Sequence, residues 1–355
     1  MLISVFFLIF MIFSGQPSQA DKEIKTPGGR QTAQIEKKSV SSRPQALVEA
    51  QMAYKAGDFV KAEALYWKSI EHLKILDLRY LMRSSEKNKN YEESLKAANL
   101  ILSQLENDEE ALTFIGKYHS RRTSQKNSNQ LAIEHFKRAI EANPKYQPAY
   151  EALIRHYESR MLEQEKLKQS KQKNYYELRI LYQDMLTVFG ERPEHLTALC
   201  KVNSLDAQLD QAQEICKKAI AKDKNAVTAY VYLGKAYSQA QDDVNARKYL
   251  STAAEKFKGS DIAQVAWGEF LESQKNYIQA YKAFDQGTQA NPKSGDAWRG
   301  FARAALQLNK HEEGFSSFKK ACDLDPQSTA IDLRRAILGS NEKKLRLSSL
   351  AESCR

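Results

Sequence analysis

The sequence repeats one pattern of large and small residues with a period of 34 residues, and this period restricts the chain to a modular fold. In the clearest copy, Tyr277 is followed by Ala280 and then by Phe284. We call the position of Ala280 the marker. The last five markers along the chain are separated by four intervals of 34 residues each. Four equal steps with similar surroundings do not arise by chance, so each copy is predicted to be one structural unit. The eight markers are Ala62, Ser94, Ala132, Leu178, Ala212, Ala246, Ala280 and Gly314.

Each marker is predicted to lie in the second of two amphipathic helices. Upstream of one marker, Tyr230, Gly234 and Tyr237 are spaced by four and three residues, which places them on one face of a first helix. Turn residues separate the two patterns, and a proline such as Pro292 follows the second pattern, where it ends the helix. One such hairpin cannot bury its own apolar face, whereas stacked neighbours can. The pattern therefore predicts an array of several units with a cap.

These residues resemble the tetratricopeptide repeat, whose pattern of aromatic, Leu-Gly, Tyr, then Ala, aromatic and Pro is met most closely by residues 227–328. The resemblance implies an all-α fold, an α-solenoid that forms a right-handed superhelix of about eight helix pairs over residues 44–328. Residues 329–355 resemble the capping helix and tail of such arrays. The resemblance also implies a protein that binds other proteins in an inner groove and does not catalyse a reaction.

Two units are longer than 34 residues, and both departures are predicted to lie at turns. One enlarged turn lies near residues 120–130, and the other lies near residues 160–174. The second carries about 12 extra residues, many of them charged, and is expected to extend both helices of its hairpin. Ser94 and Leu178 replace the usual alanine at the marker, so these two units follow the pattern least closely.

The first 43 residues differ from the array in composition. Leu2 to Phe13 are almost all apolar, too few to span a bilayer but sufficient for the core of a signal peptide, and Ser18-Gln19-Ala20 supplies small residues for cleavage. We therefore expect a signal peptide at 1–20 and a flexible polar linker at 21–43, with an exported mature chain that has no transmembrane span. In a bacterium this chain would be periplasmic or part of the cell envelope. An uncleaved leader would instead act as an anchor, or the protein would be a cytoplasmic regulator.

The composition and motifs argue against an enzyme. The six histidines show no metal-ligand spacing with cysteine or carboxylate residues, and neither a nucleophile elbow nor a phosphate-binding glycine loop is present. We therefore expect no catalytic residue, cofactor or metal. The net charge of +10 favours acidic partners, namely proteins with acidic or extended segments. The alternative is a binder of anionic polymers such as acidic glycan, lipopolysaccharide or nucleic acid, although nucleic acid is the less expected partner.

A basic position recurs on the first helices, one residue after the position of Gly234. Six of the eight residues at this position are Lys or Arg, and in the family it resembles this side lines the inner groove. Two further arginines precede it by one turn. The groove candidates for carboxylates of a bound peptide are Arg79, Arg83, Lys117, Arg155, Lys201, Lys235, Arg299 and Arg303. The alternative is a solvated face with weak ion pairs, in which Glu86 pairs with Arg83 and Glu151 or Glu158 pairs with Arg155.

The four cysteines are an even number, which fits an exported protein. Cys200 and Cys216 fall on the facing helices of one predicted hairpin, where they form either a disulfide or two small buried side chains. Cys322 and Cys354 could join the cap to the last unit if the tail folds back.

Overall fold

The computed structural model describes residues 44–122, 125–166, 170–338 and 344–354 of the 355-residue chain. The predicted signal peptide and polar linker lie outside these residues. Every regular element in the described ranges is helical. The predicted all-α fold class is therefore confirmed.

The described chain contains eight successive helix pairs, in which a first helix is followed by a second helix that packs against it. The first helices are α1 Gln45–Lys55, α3 Ile75–Lys87, α5 Glu109–Ser120, α7 Gln147–Lys166, α9 Pro193–Leu205, α11 Val227–Gln239, α13 Asp261–Ser273 and α15 Gly295–Gln307. The second helices are α2 Phe59–Lys68, α4 Tyr91–Gln104, α6 Ser128–Ala142, α8 Gln172–Phe189, α10 Leu209–Lys222, α12 Asp243–Lys256, α14 Tyr277–Ala290 and α16 His311–Leu324. A short 3-10 helix, Ile70–His72, separates the first two pairs. This arrangement is the predicted α-solenoid.

The 34-residue period arises from close contacts between the two helices of a pair. The marker Ala246 is fully buried, and Gly234 lies opposite Leu250 on the neighbouring helix. A Cβ added at Gly234 would lie only 2.5 Å from Leu250 Cγ, and one added at Gly268 would lie 2.7 Å from Phe284 Cε1. A small residue is needed at these points because a larger one would force the two helices apart.

The first helices form one layer of the array. Successive first helices contact each other directly along much of the chain, as α11 does with α13 and α13 with α15. Second helices pack mainly against the first helices on either side, as α12 does against α11 and α13. Side chains on the outward surface of the first helices therefore form one face that extends across consecutive pairs.

The longest hairpin, α7 with α8, contains the predicted enlargement near residues 160–174. Its helices have 20 and 18 residues, whereas α11 and α12 have 13 and 14. The Asn174 side chain donates a hydrogen bond to Gln164 Oε1 over 2.8 Å, which joins the two helices near the end of the hairpin.

Two helices end the array where the resemblance implied one. Helix α17, Pro326–Leu338, begins directly after α16, and α18, Lys344–Ser353, packs against α17 and α16. Leu333 and Leu347 are buried in the apolar cluster that these helices share with Phe318 of the last pair. The cap thus covers the apolar side that the final pair would otherwise expose. In the described part of the chain, no helix is both long enough and apolar enough to cross a membrane.

Candidate partner-binding face

All eight predicted groove residues lie on first helices. We call the surface that they mark the first-helix face. Its residues are Arg79 and Arg83 on α3, Lys117 on α5, Arg155 on α7, Lys201 on α9, Lys235 on α11, and Arg299 and Arg303 on α15. The structure separates them into two groups, because some bind carboxylates outside their own helix and the others do not, among the described residues.

The two arginines of α3 are bound to the next helix pair. Arg79 Nε donates a hydrogen bond to Asp108 Oδ2 over 3.0 Å, and Arg83 Nη2 donates one to Glu110 Oε2 over 2.5 Å. Asp108 also caps α5 by accepting a hydrogen bond from the Ala111 backbone amide over 2.8 Å. The hydrogen bond to Glu110 raises the pKa of Arg83, so this guanidinium is firmly held as a cation. These arginines connect two units and are not free to bind a partner.

The same arrangement recurs at the other end of the array. Arg299 Nη1 donates to Asp325 Oδ2 over 2.6 Å, and Asp325 accepts a second hydrogen bond from the Ser328 backbone amide near the start of α17. Arg303 lies between Glu272 and Asp332, with 2.8 Å to each carboxylate. Burial alone would lower the pKa of Arg303, but the hydrogen bond and the charge of Glu272 raise it. These two arginines therefore also join neighbouring elements.

Lys235 is the fifth candidate with an internal partner, since its Nζ lies 3.0 Å from Glu269 Oε2 of the next unit. Both side chains are more than one third exposed, so this ion pair contributes little stability.

Three cations in the middle of the face differ from the others. Lys117 and Lys201 have no ion pair or side-chain hydrogen bond to any described residue. Among the described residues, Arg155 pairs only with Glu151 of its own helix, at 3.8 Å, and its side chain is 63% exposed. These residues lie on three successive first helices, α5, α7 and α9. We call them the middle cations.

A pocket of about 310 Å³ lies beside two of the middle cations, between α5 and α7. Phe136 and Ala152 supply apolar wall, and Arg121 adds a third cation to the rim. Its one carboxylate, Glu86, lies 3.6 Å from Arg121. The lining residues are Glu86, Lys117, Ser120, Arg121, Phe136, Ala152, Arg155 and His156. The pocket therefore carries more positive than negative charge.

His156 is the buried polar residue of this pocket, and only 2% of it is exposed. Its Nδ1 lies 2.8 Å from Ser120 Oγ, whereas its Nε2 is buried without a hydrogen-bond partner among the described residues. Burial, together with the charge of Arg160, lowers the pKa of His156 to about 4, so the ring is neutral at pH 7. No sequence pattern marks this residue, because the histidines lack metal-ligand spacing and the burial of His156 follows only from the fold.

The local ion pairs expected from sequence are partly replaced by longer-range ones. The pair of Arg155 with Glu151 is present, but Arg83 binds Glu110 and Glu86 binds Arg121. The expected pair of Arg83 with Glu86 is therefore wrong, because Glu110 at the start of α5 binds the Arg83 guanidinium instead.

The four cysteines form two disulfides in the structure. Cys200 is bonded to Cys216, which connects α9 to α10. Cys322 is bonded to Cys354, which connects α16 to the end of α18. Within the described ranges, no group of three or more His, Cys, Asp or Glu side chains is arranged to hold a metal ion.

Comparison with known proteins agrees with the repeat architecture. Residues 263–329 match the tetratricopeptide repeat family model. One similar solved structure is the C-terminal part of a TPR repeat-containing protein from Cytophaga hutchinsonii, with 14% identity over 72% of this chain and 98% of that one, and a TM-score of 0.52. A tetratricopeptide repeat protein from Parabacteroides merdae is 14% identical over 74% of this chain and 97% of that one, with a TM-score of 0.44.

A third similar structure is MamA, with 22% identity over 49% of this chain and 98% of that one, and a TM-score of 0.33. No curated protein matches the sequence. The family match and the similar fold support a tetratricopeptide repeat protein, and this fold is one of protein-interaction scaffolds.

Proposed function

We propose that this protein is an exported scaffold of the cell envelope that binds an extended, acidic segment of a partner protein along the middle of the first-helix face. The proposal rests on a difference in ion pairing among the eight groove candidates. Five of them bind carboxylates of their own chain, whereas the middle cations Lys117, Arg155 and Lys201 have at most one weak partner among the described residues.

The spacing of the middle cations favours an extended ligand. Lys117 and Arg155 lie on α5 and α7, which contact each other, and packed helix axes are about 8–10 Å apart. Lys201 lies on the next first helix, α9. An extended chain covers that distance with about three residues, so carboxylates at intervals of roughly three residues could reach successive cations. Each exposed ion pair contributes about 0–1 kcal/mol, so several are needed for useful affinity.

The disulfides support the proposed export. Such bonds persist in oxidising compartments, for example the bacterial periplasm, and are rare in the cytosol. The array joins two pairs of cysteines in this way. A scaffold in that compartment could serve a secretion, pilus, motility or outer-membrane assembly system. Tetratricopeptide repeat proteins are typically scaffolds, and we propose no catalytic role, cofactor or metal for this one.

The proposal is tested by binding of a fluorescent, C-terminally amidated peptide that carries glutamate at every third position. Combined substitution of Lys117→Glu, Arg155→Glu and Lys201→Glu should weaken binding by about 30-fold or more, because roughly 2 kcal/mol of ion pairing is lost. The matched control carries the same change at three exposed lysines of second helices, Lys96, Lys218 and Lys248. Equal weakening by both triple variants would mean that net charge alone attracts the peptide.

The net charge of +10 favours one other candidate, a binder of anionic polymers. Counterion release makes such binding fall steeply with salt, with a logarithmic slope close to the number of phosphate contacts. Binding of heparin or lipopolysaccharide with a slope of about six or more, unchanged in the triple variant of the middle cations, would favour this candidate. Stronger binding of the peptide with a slope of about three or less would favour the scaffold.

A further inference from the structure

The pocket between α5 and α7 contains a feature that packing alone does not explain. His156 lies two residues after Ile154 on α7, and the corresponding positions in later units are Val202, Ala236, Phe270 and Ala304. All four of these residues are buried and apolar. An apolar residue therefore satisfies the fold at this position, whereas histidine places a buried polar ring beside the pocket.

Burial of the His156 ring leaves one of its two nitrogens without a hydrogen-bond partner among the described residues. Buried polar groups in proteins are nearly always paired, and an unpaired one costs about 1–3 kcal/mol. His156 Nδ1 is 2.8 Å from Ser120 Oγ, but its Nε2 has no partner in the described part of the chain. When the Ser120 hydroxyl donates to Nδ1, the proton of the neutral ring is on Nε2. This N–H is then a donor without an acceptor.

The surroundings of the ring determine which acceptor fits. Lys117, Arg121 and Arg155 line the same pocket, and Glu86 is the one acidic residue among its lining side chains. Arg160 lies on the same helix and acts on the ring through its charge. Among the described residues, Lys117 has no carboxylate partner and Arg155 has one at 3.8 Å. An anion would therefore accept from Nε2 and pair with these two cations.

We propose that this pocket binds one carboxylate of the acidic segment, with the Nε2–H of His156 as hydrogen-bond donor and with Lys117 and Arg155 as counter-charges. This inference rests on the proposed function and assigns an anchor point to it. The pocket volume of about 310 Å³ is at the lower end of the range for ligand pockets, which suits a single side chain or chain end. In this arrangement the Ser120 hydroxyl donates to Nδ1 of the His156 ring.

Binding of the amidated glutamate peptide to three His156 variants of the full chain tests the assignment. His156→Leu removes the donor, and His156→Asn keeps an amide near the position of Nδ1 but lacks a group at Nε2. We expect both variants to bind about 10-fold more weakly, because a hydrogen bond to a charged group is lost. His156→Gln, which places an amide near Nε2, should retain affinity within about 3-fold. The matched control is His195→Leu, a change at another buried histidine that does not line the pocket and should leave binding unchanged.

Two further arms identify the carboxylate and separate this inference from the proposed function. A peptide with one free C-terminal carboxylate and no acidic side chain tests the chain end, and its binding with the same dependence on His156 would assign the pocket to a terminus. Unchanged affinity in His156→Leu and His156→Asn would overturn the pocket assignment. If the His156 variants bound normally but Lys201→Glu, which lies outside the pocket, weakened binding, the proposed function would stand without the pocket assignment. If neither change had an effect, both proposals would fail.

Discussion

The basic residues of the first helices have two kinds of surroundings, and these surroundings decide what each residue can do. Arg79 and Arg299 each bind an aspartate that also caps the next helix, so each connects one unit to its neighbour. Lys117 and Lys201 have no such carboxylate within reach in the described chain. Basic residues therefore stabilise the array towards its ends, whereas those in its middle are available for binding.

The buried ring of His156 makes a prediction about acid stability. Its pKa is about 4 in the folded chain, below the value of 6.5 for an exposed histidine. As the pH falls below 6.5, the unfolded chain takes up a proton that the folded chain does not, so stability is lost between pH 6.5 and about 4. The loss from this residue is about 3 kcal/mol at the lower limit.

Urea denaturation at pH 7 and near pH 4.5 measures this effect. The free energy of unfolding of the wild-type chain should fall by about 2–3 kcal/mol more than that of His156→Asn, which has no titrating ring. Identical pH dependence in the two proteins would show that this ring is not buried as described.

In three of the helix pairs, a glycine of the first helix lies opposite a large side chain of the second. Gly116 faces Phe136, Gly234 faces Leu250 and Gly268 faces Phe284, which repeats one contact in three units. This contact fixes the distance between the two helices and hence the position of the first-helix face on the unit.

Gly234→Ala tests the close contact within a pair. The new Cβ would lie 2.5 Å from Leu250 Cγ, so we expect a loss of about 1–3 kcal/mol in the free energy of unfolding. The matched control is Gly259→Ala, because a Cβ there meets no atom within 4 Å. Chemical denaturation of both variants provides the measurement, and equal stability of the two would contradict the role of Gly234.

The cap depends on its disulfide as well as on packing. Helix α18 has 10 residues, too few for an isolated helix to be stable in water. The bond from Cys322 to Cys354 spans 32 residues and is expected to contribute about 3–4 kcal/mol. In the double variant Cys322→Ser and Cys354→Ser, amide hydrogen exchange in α18 should become much faster while α1 to α14 stay protected. The corresponding change at Cys200 and Cys216 should instead affect α9 and α10, and unchanged protection of α18 in the cap variant would contradict this account.

At the scale of the whole molecule, the repeat period predicted more than the charges did. It predicted the helical class, the pairs and the buried markers, because the spacing of small and large residues directly reflects helix packing. The partners of the arginines were not predicted, since Asp108 is 29 residues beyond Arg79 and Asp332 is 29 residues beyond Arg303. A search for acidic residues slightly less than one period downstream would have found them. The lack of a hydrogen-bond partner for His156 Nε2 could not have been predicted in this way, because it depends on which side chains surround the ring.

The central claim is that a partner protein lies on the middle of the first-helix face, and site-specific photo-crosslinking in intact cells tests it most directly. A photoreactive residue would replace Lys117, Arg155 or Lys201 in turn, with Lys96, Lys218 and Lys248 of the second helices as matched controls. We predict that the three first-helix positions crosslink to the same partner, through a peptide rich in Asp and Glu, and that the controls do not. Crosslinks to that partner from the second-helix positions alone would contradict the account.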